Sequence, residues 1–239
     1  MTTFSLRLGT RASALARWQA DWVAAQLDRL GVAVERVLIS THGDLRQEGP
    51  IGAIPERGVF TKEIQRALLD ERIDLAVHSL KDLPTEPVEG LCLAAVPDRA
   101  PVADVFVSRE YATLESLPEG AVVGTGSLRR RSQLLYVRPD LEIKDIRGNV
   151  DTRLKKLDAG QYDAIVLAEA GMRRLGFEHR MTQALPLSLM LPAVGQGALG
   201  IEARDDDEET RRIVARLSDP ATFAAVLAER AMLEALRGG

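Results

Sequence analysis

Ala121-Val-Val-Gly124-Thr125-Gly126-Ser127-Leu128-Arg129-Arg130-Arg131 is the stretch that decides the fold. Ala121 to Thr125 is apolar and reads as a strand; Leu128 to Val137 reads as a helix that starts almost at once. The same pairing returns downstream, with strands expected at Leu141 to Ile146 and Tyr162 to Ala168 and a helix at Val150 to Ala159 between them. Such alternation predicts right-handed crossovers and a largely parallel sheet.

Working outward, Phe4 to Gly9 reads as a strand, Ala14 to Leu30 as a helix and Val32 to Ile39 as a strand. In the helix, Leu15, Trp18, Trp22, Val23, Leu27 and Leu30 recur at helical spacing. His42 to Gly58 is rich in glycine, proline and charge and predicts a long surface loop, a kind of segment that is usually functional. A helix resumes at Val59 with Phe60, Ile64, Ala67 and Leu68 on one face, and Asp74 to His78 is the next strand, running into Ser79-Leu-Lys81-Asp82-Leu-Pro84. The second unit begins after Pro97 to Pro101. Leu191 to Gly200 reads as a segment crossing back, and Ala198 to Ala203 as a strand that rejoins the first unit. The expectation is an α/β chain of two lobes joined by a double-crossover hinge. The acidic run Asp205 to Glu209 opens a helix, and Ser218-Asp219-Pro220 starts another that runs to Arg237.

Composition narrows the function. Of 239 residues, 46% are hydrophobic and 28% charged, which is ordinary for a globular chain. No apolar run approaches the roughly 18 residues of a spanning helix, and Met1 to Leu8 has no basic segment followed by an apolar core. A cytoplasmic protein without a membrane partner is expected. The single cysteine, Cys92, forms no internal disulfide, and His42, His78 and His179 lack metal-ligand spacing, so no metal site is expected. A net charge of -4 argues against general attraction to nucleic acid, so clustered arginines need another explanation.

Gly124 to Arg131 joins a strand to a helix, where backbone N–H groups, the hydroxyls of Thr125 and Ser127 and the guanidinium groups can converge on one anion. It is not a phosphate-binding P-loop, because no lysine-serine or lysine-threonine pair follows spaced glycines. The competing reading is a capped helix with its arginines in solvent. Arg147-Gly148-Asn149 follows the next strand, with Arg153 beyond it, and Arg173-Arg174 follows the strand after that. Open α/β sheets place their ligands at strand C-terminal ends, so repetition of arginine there predicts a ligand with several carboxylates. Each arginine taken alone reads as a solvated surface residue. Lys81-Asp82 also lies just past its strand: a carboxylate there can act as acid and base or stabilise a developing cation, or it is one half of a surface ion pair. Cys92, between Leu91 and Leu93, reads as a core residue rather than a nucleophile.

Taken in order, Leu8-Gly-Thr-Arg11-Ala-Ser13, Val77-His-Ser-Leu-Lys81-Asp82-Leu-Pro84, Gly124-Thr-Gly-Ser-Leu-Arg129-Arg130, Asp145-Ile-Arg147-Gly-Asn-Val-Asp-Thr-Arg153 and Leu191-Pro-Ala-Val-Gly-Gln-Gly197 resemble the porphobilinogen deaminase (hydroxymethylbilane synthase) family. The resemblance implies two periplasmic-binding-protein-like lobes with mixed, largely parallel sheets. It divides the chain into a catalytic lobe, 1-98 plus 198-217, an arginine-rich lobe, 99-197, and a remnant helix, 218-239, of a third α+β domain that is otherwise absent.

It also implies a transferase of tetrapyrrole (haem and chlorophyll) biosynthesis that joins four porphobilinogen molecules into hydroxymethylbilane with loss of ammonia, on a dipyrromethane primer held by a cysteine thioether. By the resemblance, Asp82 is the catalytic carboxylate, assisting departure of ammonium and stabilising charge on the pyrrole nitrogens. Arg11, Ser13, Lys81, Thr125, Ser127, Arg129, Arg130, Arg147, Arg153 and Arg174 match positions that bind the acetate and propionate groups of the primer and growing oligopyrrole. Ile54-Pro55-Glu56-Arg57-Gly58 departs from the family's glycine- and lysine-rich stretch, with Arg57 in place of a lysine contact. The family's attachment cysteine follows a Gly-Gly that corresponds to Gly238-Gly239, so it is absent from this sequence, and Cys92 does not match it. A monomer is expected, or a C-terminal domain supplied separately. The alternative is a non-catalytic two-lobe protein that binds pyrroles or carboxylates.

Overall fold

The structure is a computed structural model that describes residues 5–41 and 61–238. Along the chain come β1 (Ser5–Thr10), α1 (Ala14–Arg29), β2 (Ala33–Leu38), α2 (Lys62–Leu69), β3 (Leu75–Ser79), β4 (Leu91–Ala95) and β5 (Asp104–Ser108). They are followed by β6 (Val122–Gly124), α3 (Leu128–Val137), β7 (Glu142–Lys144), α4 (Val150–Asp158), β8 (Ala164–Ala168) and α5 (Glu169–Arg174). The last elements are β9 (Gln183–Ala184), β10 (Leu199–Arg204), α6 (Glu208–Ala215) and α7 (Pro220–Ala235). Two compact units result: among the described residues, the first gathers 5–41, 61–100 and 197–238, and the second is 101–196.

In the first unit the strand order is β2-β1-β3-β10-β4; β1 is parallel to β2 and β3, while β10 is antiparallel to β3 and β4. Alternation along β3 sends Leu75 and Val77 to one face, with Ala20, Val23 and Leu27 of α1, and Ala76 to the other, with Ile64, Ala67 and Leu68 of α2. Helix α1 starts where Ser13 Oγ accepts a hydrogen bond from Ala16 N at 3.3 Å. It stops at Gly31, whose φ of +79° lies in the left-handed region.

The second unit repeats the plan, with order β7-β6-β8-β5-β9, β6 parallel to β7 and β8, and β5 antiparallel to β8 and β9. Its two faces again carry separate cores. Phe106, Val123 and Val166 pack with Leu134 of α3, whereas Val105, Val107, Ile165 and Leu167 pack with Leu154 and Leu157 of α4. In each sheet the single reversed strand, β10 or β5, is the first strand after the chain passes from one unit to the other. Both sheets are therefore mixed, with four strands pointing one way and one the other.

The expected strands and helices around 121–168 are present, and the acidic run does open α6, where Asp207 accepts from Thr210 N at 3.0 Å. Among the elements that go beyond what the sequence pattern predicts are β5, β9 and α5. Residues 42–58, read as a long loop, lie outside the described residues. Helix α7 packs on the first unit: Phe223 and Val226 meet Leu80, Leu83 and Val96, and Arg230 donates to the carbonyls of Leu83 at 2.9 Å and Pro84 at 2.6 Å. None of the described helices is long and apolar enough to cross a membrane.

Candidate functional site

In the first unit, Asp82 stands on a single 3-10 turn, Leu80–Asp82, at the C-terminal end of β3. Leu80 and Leu83 are buried on either side, and this pins the turn while Lys81 and Asp82 face outward. The turn is tied from three directions. Leu80 N donates to Ala198 O at 3.1 Å, Gln19 Nε2 donates to Ser79 Oγ at 2.7 Å, and Arg230 holds the two carbonyls after Asp82. Arg11 and Ser13 follow β1, which runs parallel to β3, so all four residues lie at one end of the same sheet. Ser13 also caps α1, its Oγ accepting from Ala16 N at 3.3 Å.

In the second unit, β6, β7 and β8 are parallel, and their C-terminal ends lead respectively to Thr125–Arg130, to Arg147 and Arg153, and to Arg174. Thr125 is buried; its N–H donates to Lys144 O at 2.9 Å and its Oγ1 accepts from Ser127 N at 3.2 Å. Ser127 caps α3 by accepting from Arg130 N at 3.4 Å. These bonds hold the turn so that the helix start faces the same end of the sheet as the arginines.

The arginines divide by environment. Arg130 is buried: Nε and Nη2 donate to Asp104 Oδ1 at 3.0 and 2.7 Å, and Nη1 donates to Val166 O at 3.0 Å. Arg129 is partly exposed, with Nη1 2.7 Å from Asp104 Oδ2 and also donating to Leu191 O. Arg147 has Nε and Nη2 buried without a hydrogen-bond partner among the described residues. Two orphaned cationic donors carry a desolvation cost that a ligand carboxylate would offset. Arg153 Nε donates to Gly148 O at 2.7 Å. Burial pushes the Arg174 guanidinium down to about 10, which leaves it charged at neutral pH. Arg57 lies outside the described residues.

Two residues outside the expected binding set anchor this arrangement: Asp104, and Gln196 from the Leu191 to Gly197 motif. Asp104, wholly buried at the first position of β5, is subject to a desolvation that tends to raise its pKa. The charges of Arg130 and Arg129 and the hydrogen bonds from Arg130 outweigh that burial and hold the carboxyl below its ordinary value. Gln196 Nε2 donates to Asp104 Oδ1 at 3.0 Å and to Val102 O at 2.7 Å. The signal for Asp104 in the sequence is a lone acid ahead of the apolar run Val105-Phe106-Val107, a position at which a charge needs a buried partner. Cys92 is half-buried, and burial pushes its thiol up, away from the reactive thiolate. No group of three histidine, cysteine or acidic residues suited to a metal occurs among the described residues.

A sequence model described as "Porphobilinogen deaminase, dipyromethane cofactor binding domain" matches residues 6–212. The chain belongs to the porphobilinogen deaminase family. Porphobilinogen deaminases from two strains of Acidithiobacillus ferrooxidans are each 52% identical to it over 236 residues, covering 98% of this chain and 77% of theirs. Among solved structures, a periplasmic substrate-binding protein of an ABC transporter from Coxiella burnetii is similar with a TM-score of 0.54 at 17% identity, covering 94% of this chain and 96% of its own. A nutrient-binding protein from Burkholderia cenocepacia, solved with methionine, gives 0.54 at 13% identity, covering 91% and 93%. At those identities the likeness bears on the fold, which is of the periplasmic-binding-protein type. The porphobilinogen deaminase family implies a dipyrromethane, a group rich in carboxylates. The orphaned donors of Arg147 and the hydroxyl-lined start of α3 fit such a group.

Proposed function

We propose that this protein is a porphobilinogen deaminase, a transferase that joins porphobilinogen units into hydroxymethylbilane with release of ammonia. The observation that carries the reading is the family match over residues 6–212 together with Asp82 on its pinned turn. When bound, the dipyrromethane supplies the pyrrole carbon from which the chain is extended. Arg129, Arg147, Arg153 and Arg174, with Thr125 and Ser127, bind the acetate and propionate groups of primer and oligopyrrole, as do Arg11, Ser13, Lys81 and Arg57. Arg130, expected in the same set, is buried against Asp104 and Val166 O, and in this reading it supports the set rather than touching the ligand.

Asp82 is the catalytic carboxylate. As ammonium leaves porphobilinogen, positive charge develops on the pyrrole, and a carboxylate accepting a hydrogen bond from the pyrrole N–H stabilises it. Its flanking leucines and the Arg230 clamp fix the backbone that carries the carboxylate, which lessens the reorganisation needed when the charge develops. The reading also takes the protein to act as a cytoplasmic monomer. It divides the chain into lobes 1-98 plus 198-217 and 99-197, with 218-239 as a remnant helix of a third domain.

The test is turnover of porphobilinogen by the intact protein, followed as hydroxymethylbilane formation, in wild type and Asp82→Asn. The variant should lose about 100-fold or more in kcat while still binding porphobilinogen, the loss expected for a group that acts on charge in the transition state. An unaltered protein that binds the pyrrole without consuming it would support the non-catalytic binding protein instead.

A further inference from the structure

Arg129 and Arg130 are neighbours at the start of α3, where the helix dipole disfavours cations. A single carboxylate, Asp104, answers both, and it does so unequally. Its Oδ1 accepts three donors, Arg130 Nε and Nη2 and Gln196 Nε2, while Oδ2 lies 2.7 Å from Nη1 of Arg129. Arg130 is consumed by this and by Val166 O. The contacts of Arg129 run through Nη1, to Asp104 Oδ2 and to Leu191 O, and its side chain is 24% exposed. Within this trio, two guanidinium groups and one carboxylate leave one positive charge.

We infer that Asp104 is a positioning residue for the anion site: it turns Arg130 into a buried strut and holds Arg129 by one edge, so that a single guanidinium fork is presented to a single ligand carboxylate. This inference rests on the proposed carboxylate-binding role of Arg129. Gln196 completes the arrangement, because its amide ties Asp104 to Val102 O and so keeps the carboxylate from turning toward Arg129 alone. Asp104 touches no ligand in this scheme and acts through Arg129.

The experiment is a double-mutant cycle on the intact, cofactor-loaded enzyme, reading KM and kcat for porphobilinogen in wild type, Asp104→Asn, Arg129→Gln and the double variant. Each single change should raise KM about tenfold, as for loss of a charge-assisted hydrogen bond, and the double variant should be no worse than Arg129→Gln alone. If Arg129→Gln leaves KM where it was, the carboxylate-binding reading of Arg129 falls and the inference with it. If Arg129→Gln raises KM and Asp104→Asn multiplies that rise by the same factor as in wild type, Arg129 remains a ligand contact and the positioning role is overturned. Should Asp104→Asn be recovered unfolded, Arg129→Lys decides the matter. A lysine ammonium drawn to Asp104 has no planar fork left for a bidentate contact with the ligand, so its KM should lie within about twofold of Arg129→Gln. A wild-type KM for Arg129→Lys overturns the inference.

Discussion

Arg130 and Asp104 show how one buried pair converts sequence into a pH-dependent stability. Burial works to raise the Asp104 carboxyl, but its two arginines more than offset it and keep the folded value below the unfolded one. A depressed carboxylate contributes stability that is fully present above the unfolded value, about 3.9, and is lost as pH falls through the folded value. Asp104→Asn should therefore cost roughly 3 kcal/mol at neutral pH, since it strands buried Arg130 without its counter-charge. The same variant should flatten the acid limb of a plot of melting temperature against pH below about pH 4. An acid limb of unchanged steepness would place the responsible carboxylates elsewhere, with Asp74 the next to examine. For Asp74 too, burial acts to raise the carboxyl, and the Arg7 side-chain and backbone hydrogen bonds bring it below its ordinary value.

The helix starts carry the same lesson one level up. Gly148 separates β7 from α4 with φ of +107°, and a Cβ added there would meet Thr152 Cγ2 at 2.7 Å. Gly148→Ala should destabilise the protein by about 1 kcal/mol or more and raise KM, because the adjacent Arg147 would no longer sit with its donors directed as they are. Kinetics on purified Gly148→Ala, set beside its thermal melt, would check both effects. Helix α6 provides a contrast away from the arginines. Asp207 accepts hydrogen bonds from Thr210 N and Oγ1 at 3.0 and 2.7 Å, and Asp207→Ala should cost about 1 kcal/mol in denaturant titration through loss of the cap. Its KM should stay at the wild-type value; a shift would show that α6 communicates with the ligand-binding residues.

Over the whole chain, the second unit is inserted into the first and has its own two cores, one on each face of its sheet. Residues 101–196 expressed alone should therefore melt cooperatively, as followed by circular dichroism, since each half of a sheet-centred core is complete within that span. A broad, non-cooperative transition would mean that it borrows stability from the rest of the chain. The first unit is built from segments on both sides of the insertion, because β10 fills the place between β3 and β4. It has no equivalent continuous fragment.

Periodicity and end signals are legible in the order of the residues alone. The strand-helix alternation from 121 to 168, the helix starts at the acidic run and at Ser218-Asp219-Pro220 and the motif order that points to the family all depend on neighbours within a few residues. Asp82 and the arginines after successive strands stand out in the same way, by their place past a strand end. Hidden from that reading is the fate of each arginine. Arg130 meets Asp104 and Val166, 26 and 36 residues away in the chain, and only the pairing of β5 with β8 brings those two beside the start of α3. The two antiparallel strands are equally out of reach, since β5 and β10 take their direction from strands distant in sequence rather than from their own residues. Local chemistry determines which segments become helices and strands; which charges are buried, and against what, is decided when those segments are laid side by side.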